Sequence, residues 1–199
     1  LTTIESYAFY DCTGLTTINF VEGLTTIPAY CFYNCTSLSK LTLSENITAI
    51  GNYAFYNCIG LRLINMNENL KSIGSYAFYG CNGVLSLVLN DGLETISNNA
   101  FSNSVNLTAV EVPASVTTIG ANVFDGCSKL TVYCYSGTRA HTTCESEGYR
   151  FVLLDEHEHL YEVNIETSPT CLRGGSQIMT CSICGYNYIQ LLEALGHAY

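Results

Sequence analysis

The sequence predicts a solenoid, a stack of 23-residue coils with parallel strands that is mainly β in content. The first observation is a repeat, because an aliphatic residue starts the same motif every 23 residues, at Leu1, Leu24, Ile47, Leu70, Leu93 and Val116. The second observation is that two columns of this motif have no exception, with isoleucine three positions after the aliphatic residue and phenylalanine eight positions after it. Self-similarity at one short, fixed period is the signature of a stacked repeat architecture.

Each repeat has room for two short extended segments and two bends, and is too short for two packed helices. The segment at residues 15–20 is predicted to pair in parallel with its copies at 38–43, 61–66, 84–89 and 107–112. Six coils would then form a sheet on the order of 25 Å long. A bend is expected before each repeat, in a column of residues that mostly tolerate positive φ: Gly23, Asn46, Asn69, Gly92 and Ser115.

The repeat run is expected to end in a cap, because an open solenoid end exposes core and unpaired strand edges. The repeat pattern lapses after Leu130, and residues 139–148 read as a short helix followed by a last strand at 149–154. Cys134 and Cys144 lie in this cap. A disulfide between them and two buried thiols are both compatible with the sequence.

The unit Leu-x-x-Ile-Gly-x-x-Ala-Phe-x-x-Cys at residues 70–81 resembles the BspA-type leucine-rich repeat, and the resemblance extends over residues 1–154. This family consists mostly of bacterial surface proteins. The resemblance implies a curved leucine-rich-repeat solenoid, a secreted or cell-surface location and a binding role, without naming a ligand. Because the chain opens on the first leucine of a repeat, we expect upstream coils and an export signal in the full protein.

Composition excludes two kinds of partner. The formal net charge of −10 divides equally between residues 1–154 and 155–199, so neither part has the basic surface that binding to phosphate backbones requires. No apolar run approaches the roughly 20 residues of a membrane-spanning helix. We therefore expect no nucleic-acid partner and no membrane span in this sequence.

Five of the eleven cysteines occupy one column of the repeat, and a serine takes the remaining place of that column. A hydroxyl can replace a small buried donor, but it can neither ligate zinc nor form a cross-link. The sequence therefore predicts that this column consists of buried thiols with a packing role. Its members are Cys12, Cys35, Cys58, Cys81, Ser104 and Cys127.

The composition changes at Asp155, where a polar hinge begins, and we predict a second, small β-rich Cys/His module at residues 155–199. This stretch is similar to small Cys/His modules of surface proteins from anaerobic bacteria. Two thiolates in a Cys-x-x-Cys turn can hold one zinc ion, and a closed tetrahedral site needs four ligands. The candidate ligands of a structural zinc are His159, Cys171, Cys181 and Cys184, with His157 and His197 as substitutes for His159.

Two alternatives to zinc stay open for this module. A disulfide from Cys171 to Cys181 or Cys184 would also hold a chain too short to bury much core. The Cys181-x-x-Cys184 pair also admits thiol-redox chemistry, although it lacks the strand-to-helix context of a thioredoxin-like site.

The sequence contains no catalytic constellation, neither a glycine-rich phosphate loop nor a nucleophile elbow. The candidate binding residues are instead tyrosines, which flank the Ala-Phe pair in the first four coils and are replaced by small polar or acidic residues in the last two. Such files either stabilise the stack or form an aromatic strip for a partner. The candidates are Tyr7, Tyr10, Tyr30, Tyr33, Tyr53, Tyr56, Tyr76 and Tyr79, with Leu63 and Val88 as part of a small apolar patch on the strand side.

The sequence thus predicts a non-enzymatic, surface-exposed binding or adhesion protein that presents a repeat surface to a protein or glycan of a host or neighbouring cell. The alternative is a thiol-redox or disulfide-active surface protein that uses Cys181-x-x-Cys184.

Overall fold

The structure is a computed structural model that describes residues 3–20, 22–156, 161–167, 175–182 and 187–192. The chain divides into two compact units, residues 1–153 and residues 154–199. Each unit has its own β-sheets.

The first unit is a parallel-strand β-solenoid of about six coils. Each complete coil contributes a strand of two residues and a strand of three or four, joined by turns, as expected for so short a repeat. The strands are β1 (Thr26–Ile27), β2 (Lys40–Thr42), β3 (Ala49–Ile50), β4 (Leu63–Asn65), β5 (Ser72–Ile73), β6 (Ser86–Val88), β7 (Thr95–Ile96), β8 (Ala109–Glu111), β9 (Thr118–Ile119) and β10 (Thr131–Cys134).

The two-residue strands form one continuous parallel sheet in the order β1-β3-β5-β7-β9. Its register follows the repeat, because Ile27 pairs with Ile50, Ile50 with Ile73, and Ile73 with Ile96. These isoleucines are buried, so the invariant isoleucine column forms one wall of the core.

The longer strands are parallel as predicted, but they do not form the single sheet that the repeat suggested. Residues 15–20 form no strand; the Thr16 carbonyl accepts bonds from the Ser39 N–H and the Ser39 hydroxyl. β2 pairs with β4, and β8 pairs with β6 and β10, while no ladder joins β4 to β6 in the described coils. Ile64 on β4 is correspondingly half-buried, whereas Leu41 and Leu87 of the same column are buried. The continuous sheet of two-residue strands holds the stack together across this break.

The phenylalanine column forms a stacked file through the core. Ring centroids lie 5.3 Å apart between Phe55 and Phe78 and 5.4 Å apart between Phe78 and Phe101, with planes within 4° of parallel. The last ring of the file, Phe124, meets Tyr149 edge-on at 5.7 Å. Tyr149 therefore closes the file where the repeat run ends.

The predicted cap is present, with a helix α1 (Arg139–Glu147) and a last strand β11 (Phe151–Leu153) that pairs in parallel with β10. Thr138 caps the helix by accepting from the His141 N–H, and Gly148 ends it in the left-handed conformation at φ 73°. The cap covers the final coil because α1 contacts β9, β10 and β11. Cys144 of α1 is in a side-chain hydrogen bond with Cys134 of β10, which places them as two adjacent buried thiols.

The second unit begins with a short 3₁₀ turn (Leu154–Glu156) and contains a three-stranded antiparallel sheet. Its strands are β12 (Tyr161–Thr167), β13 (Gly175–Cys181) and β14 (Asn187–Leu192), with β13 in the middle. The side chains of Gln177 and Gln190 are hydrogen-bonded across β13 and β14 at 2.8 Å. Within the ranges that the structure describes, no helix has the length and apolar character needed to cross a membrane.

Candidate functional site

The eight tyrosines of the first four coils form two stacked files on the solenoid surface. In the first file, ring centroids are 4.7 Å apart between Tyr30 and Tyr53 and 4.8 Å apart between Tyr53 and Tyr76. In the second file, Tyr33 and Tyr56 stack at 4.7 Å with an interplanar angle of 0°. The inner rings of each file therefore have a neighbouring ring against both faces and present their edges and hydroxyl groups outward.

The two files face each other across an open groove of about 580 Å³, which all eight tyrosines line. The files are inclined to one another, since Tyr53 and Tyr56 of the same coil have centroids 5.8 Å apart and planes at 40°. The groove runs along the stacking direction, since tyrosines of all four coils line it. We refer to it as the tyrosine groove.

The first file stands on an unusual backbone conformation. Tyr7, Tyr30, Tyr53 and Tyr76 all have positive φ, between 58° and 66°. Bulky residues seldom adopt this left-handed conformation, and it costs on the order of 1 kcal/mol or more for each of them. In the fifth and sixth coils the same position holds Asn99 and Asn122, the residue type that tolerates it best after glycine.

The left-handed conformation serves the stacking of the coils. It occurs in two columns of every coil, and residues of these columns donate their N–H to the next coil, as from Tyr53 to the Ser75 carbonyl at 2.9 Å and from Asn57 to the Tyr79 carbonyl at 2.7 Å. The predicted bend before each repeat is present as a turn. Among the five described residues of that column, positive φ accompanies the turn at Gly23, at φ 96°, and not at the other four. The positions with positive φ are instead the first tyrosine column and the column directly after the second.

The groove is polar at its surface and uncharged along most of its length. Burial, followed by the neighbouring tyrosines, raises the pKa of Tyr53 and of Tyr56, so these hydroxyls remain neutral donors and acceptors. At the first coil the groove is flanked by two exposed carboxylates, Glu5 and Asp11, and Asp11 accepts a hydrogen bond from the Asn34 amide at 2.8 Å.

The groove ends at the fifth coil, where small polar residues replace the tyrosines. The Ser102 hydroxyl donates to the Asn122 carbonyl and lies 3.2 Å from the Asn99 side-chain oxygen. The Asn103 amide donates to the Tyr79 hydroxyl. Hydrogen bonds therefore replace ring stacking here without interrupting the coil.

Leu63 and Val88 do not belong to this groove. They lie on β4 and β6, the two neighbouring strands that no ladder joins in the described coils. Val88 is 42% exposed and Leu63 is half-buried, and Leu85 next to β6 is 54% exposed. The sequence-based set of binding candidates thus divides between two surfaces.

The cysteine column is a file of buried hydrogen-bond donors, as the sequence predicts. From the second coil on, each thiol is buried and donates to the carbonyl of a phenylalanine in the preceding coil, as from Cys58 to Phe32 at 3.2 Å, and Ser104 makes the same bond to Phe78 at 3.2 Å. Burial raises the pKa of Cys81 to about 12. These thiols therefore stay protonated at neutral pH and lack the thiolate that metal binding or redox chemistry requires.

The predicted zinc set lies largely outside the described residues, since only Cys181 of the four candidates is described. Cys181 is buried at the end of β13, where it pairs with Tyr161 of β12. His159, Cys171 and Cys184 fall outside. Among the described residues, no group of three histidines, cysteines or carboxylates could hold a metal ion. Zinc in this unit remains a prediction from the sequence.

We expect one zinc per chain in protein purified without added metal, and we expect a chelator to unfold the second unit while the solenoid remains folded, because chains this short usually need a metal or a cross-link. Elemental analysis and thiol titration with and without chelator measure this. Cys184→Ser should lose the metal, whereas Cys144→Ser in the cap should retain it. If the protein contains no metal and a peptide links Cys171 to Cys181 or Cys184, a disulfide rather than zinc holds the second unit folded.

Sequence reasoning missed one group of structural residues, the asparagines that connect successive turns. The Asn67 amide donates to the carbonyls of Ser44 and Ile47 in the preceding coil, and its oxygen accepts from the Asn69 N–H at 2.8 Å. Asn90, 23 residues later, donates to the Leu70 carbonyl at 3.0 Å. The sequence did contain a signal for these residues, because asparagine recurs in the same column of two successive coils.

These observations define the class of protein: a β-solenoid built from short leucine-rich repeats with an aromatic groove on its surface. The chain belongs to the BspA-type leucine-rich repeat family, whose model matches six copies over residues 2–131. The family resemblance read from residues 70–81 is therefore confirmed for the repeats. No curated protein matches this sequence.

Solved structures show the same fold. A leucine-rich cell surface protein from Faecalibacterium prausnitzii A2-165 is similar with a TM-score of 0.58 and 27% identity, over 62% of this chain and 33% of that one. A leucine-rich repeat protein from T. pallidum is similar with a TM-score of 0.55 and 31% identity, over 57% of this chain and 54% of that one. The pneumococcal vaccine antigen PcpA, at 18% identity and a TM-score of 0.54 over 67% of this chain and 40% of that one, shares the fold alone. This chain spans about a third of the first relative and about half of the second.

Proposed function

We propose that this protein is a non-enzymatic binding or adhesion protein of the cell surface, and that its tyrosine groove contacts a protein or glycan of a host or neighbouring cell. The family and the relative described as a cell surface protein support the location. The groove supports the binding role, because aromatic side chains with polar ends are the residues most enriched at recognition surfaces.

One observation carries the assignment to the groove. Four tyrosines occupy a backbone conformation that asparagine adopts at lower cost, and asparagine does stand at the same position in the last two coils. Strained residues that persist tend to cluster at functional sites. The strained tyrosines lie in the eight-tyrosine groove. The backbone conformation alone would favour asparagine here, so the tyrosine side chain accounts for the presence of tyrosine.

The experiment is a double substitution, Tyr53→Asn with Tyr56→Ser, which introduces into the third coil the residues that stand in the fifth. Retention on an array of glycans and host-matrix proteins should fall at least about tenfold, because central aromatic residues dominate binding energy. The fold should persist, since relief of the left-handed strain at Tyr53 offsets part of the lost stacking, about 0.5–1.5 kcal/mol for each aromatic pair.

Ile59→Ser is the matched control, because it also removes a large exposed side chain of the third coil but lies outside the groove. It should leave retention unchanged. Circular dichroism of both variants establishes that they are folded. If the double variant unfolds as it loses binding, the files are a stabilising ladder. A folded double variant that binds normally would remove the groove from consideration.

A further inference from the structure

The groove offers a particular kind of surface, rows of ring edges and hydroxyls rather than exposed ring faces. The inner tyrosines are covered on both faces by rings 4.7–4.8 Å away. Stacking of a sugar on an aromatic residue needs an uncovered ring face, which these inner rings lack. An extended chain with accessible carbonyl oxygens fits this surface better, because the outward hydroxyls can donate to it along its whole length.

The spacing of the hydroxyls selects one extended conformation. Within each file the rings are within 8° of parallel, so their hydroxyls repeat at about the same 4.7 Å interval as the ring centroids. A polyproline II helix rises about 3.1 Å per residue with three residues per turn, so one turn advances about 9.3 Å. This is close to twice the tyrosine spacing, so every second coil meets an equivalent face of such a helix. A segment of roughly five to six residues spans the four coils.

The chemistry of a polyproline II segment also matches the groove. This conformation has no internal hydrogen bonds, so its carbonyls are free to accept from tyrosine hydroxyls, and its proline rings can pack against two adjacent rows of aromatic rings. Aromatic-lined grooves are a recurring way of binding proline-rich segments, because the preformed helix loses little entropy on binding.

Charge gives the segment a direction. Glu5 and Asp11 flank the tyrosines of the first coil. The equivalent positions in the next three coils hold uncharged residues, namely Pro28, Gly51 and Gly74 for Glu5, and Asn34, Asn57 and Gly80 for Asp11. In these two columns the negative charge is therefore confined to the first of the four tyrosine coils, while Asp125 takes the position of the second tyrosine file two coils beyond Tyr79. A partner with positive charge beside Glu5 and Asp11 is complementary to this end of the groove.

We propose, on the basis of the binding function proposed above, that the tyrosine groove binds a proline-rich protein segment in the polyproline II conformation, with a basic residue of that segment beside Glu5 and Asp11. The groove is then a receptor for an extended peptide rather than for an oligosaccharide.

Fluorescence polarisation on the full chain tests this with a labelled octaproline probe that carries two arginines at one end. The probe should bind, and Tyr53→Asn with Tyr56→Ser should weaken it at least about tenfold. Ile59→Ser should have no effect. A glycine-serine peptide with the same two arginines should bind at least about tenfold more weakly, because it lacks the preformed helix.

Asp11→Asn tests the direction separately. Asparagine stands at this position in the second coil as Asn34 and adopts the same left-handed conformation, so the fold should tolerate the change. Affinity for the arginine-tagged probe should fall about two- to fivefold and lose part of its salt dependence, as expected for an exposed charge pair. An octaproline probe tagged with two glutamates should bind more weakly than the arginine probe to the unchanged protein.

Three results would overturn the inference: equal affinity for the glycine-serine and proline probes, proline binding that survives the double tyrosine substitution, or tyrosine-dependent retention on oligosaccharides without peptide binding. The last result would leave the binding function of the groove standing and replace its partner by a glycan. Failure of the proposed function together with this inference is a different result. In that case the array experiment would also show no dependence on the tyrosines.

Discussion

Replacing Phe78 by alanine is expected to lower the free energy of unfolding by about 3–5 kcal/mol, the usual cost of removing a large aromatic side chain from a core. Phe78 is completely buried and stacks between Phe55 and Phe101. Its removal leaves a cavity in a core that extends through all coils. Because coils are stabilised mainly by their neighbours, the loss affects the coils on both sides.

Chemical denaturation followed by circular dichroism measures the effect. Phe9→Ala is a matched control in the same column, because Phe9 is 36% exposed and stacks on Phe32 at one end of the file. It should cost less than half as much. A change below about 1 kcal/mol for Phe78→Ala would contradict the inward position of the column.

Asn67→Asp is expected to cost about 2–4 kcal/mol at neutral pH, although the two side chains are almost the same shape. The Asn67 amide nitrogen donates to two carbonyl oxygens of the preceding coil. The substitution replaces this donor by a carboxylate oxygen facing the same two carbonyls, which removes two hydrogen bonds and adds repulsion.

The cost should depend on pH in a definite direction. The carbonyl oxygens disfavour the charged form of the introduced carboxyl in the folded state, so its folded pKa exceeds the unfolded value of about 3.9. The penalty is complete above the folded pKa and shrinks as the pH falls through it. Denaturation of the variant and the parent from neutral to acidic pH measures the difference between them.

Asn69→Asp provides the control for Asn67→Asp, because it is the same chemical change two residues away at an exposed side chain with one such bond, to the Glu45 carbonyl at 3.0 Å. It should cost under about 1 kcal/mol. If both variants lose the same amount, or if the loss at Asn67 is independent of pH, the asparagines do not connect the turns in the way the structure indicates.

Part of the candidate site followed from sequence, and part did not. The eight tyrosines could be placed in two columns by counting, because a 23-residue period puts equal positions above one another. Leu63 and Val88 lie on neighbouring strands that no ladder joins in the described coils. The sequence could not predict this break, because the motif is the same in both coils and the break arises from the stacking between them. The zinc candidates other than Cys181 fall outside the described residues and remain predictions.

The sequence by itself determined the coil length, the parallel strands, the inward columns and the cap, because each of these repeats or ends in register and needs only local patterning to be read. It also determined that the cysteine column is packing, since Ser104 can replace a donor but not a ligand.

Only the tertiary structure decided which backbone positions are strained, how the tyrosine rings are oriented and where the charges lie relative to them. Tyr53 has positive φ because its N–H must reach the Ser75 carbonyl in the next coil, and its ring then stacks on Tyr30 and Tyr76. These properties arise between coils. A repeat motif specifies what each coil contains, whereas the distance and inclination between coils result from packing all of them at once.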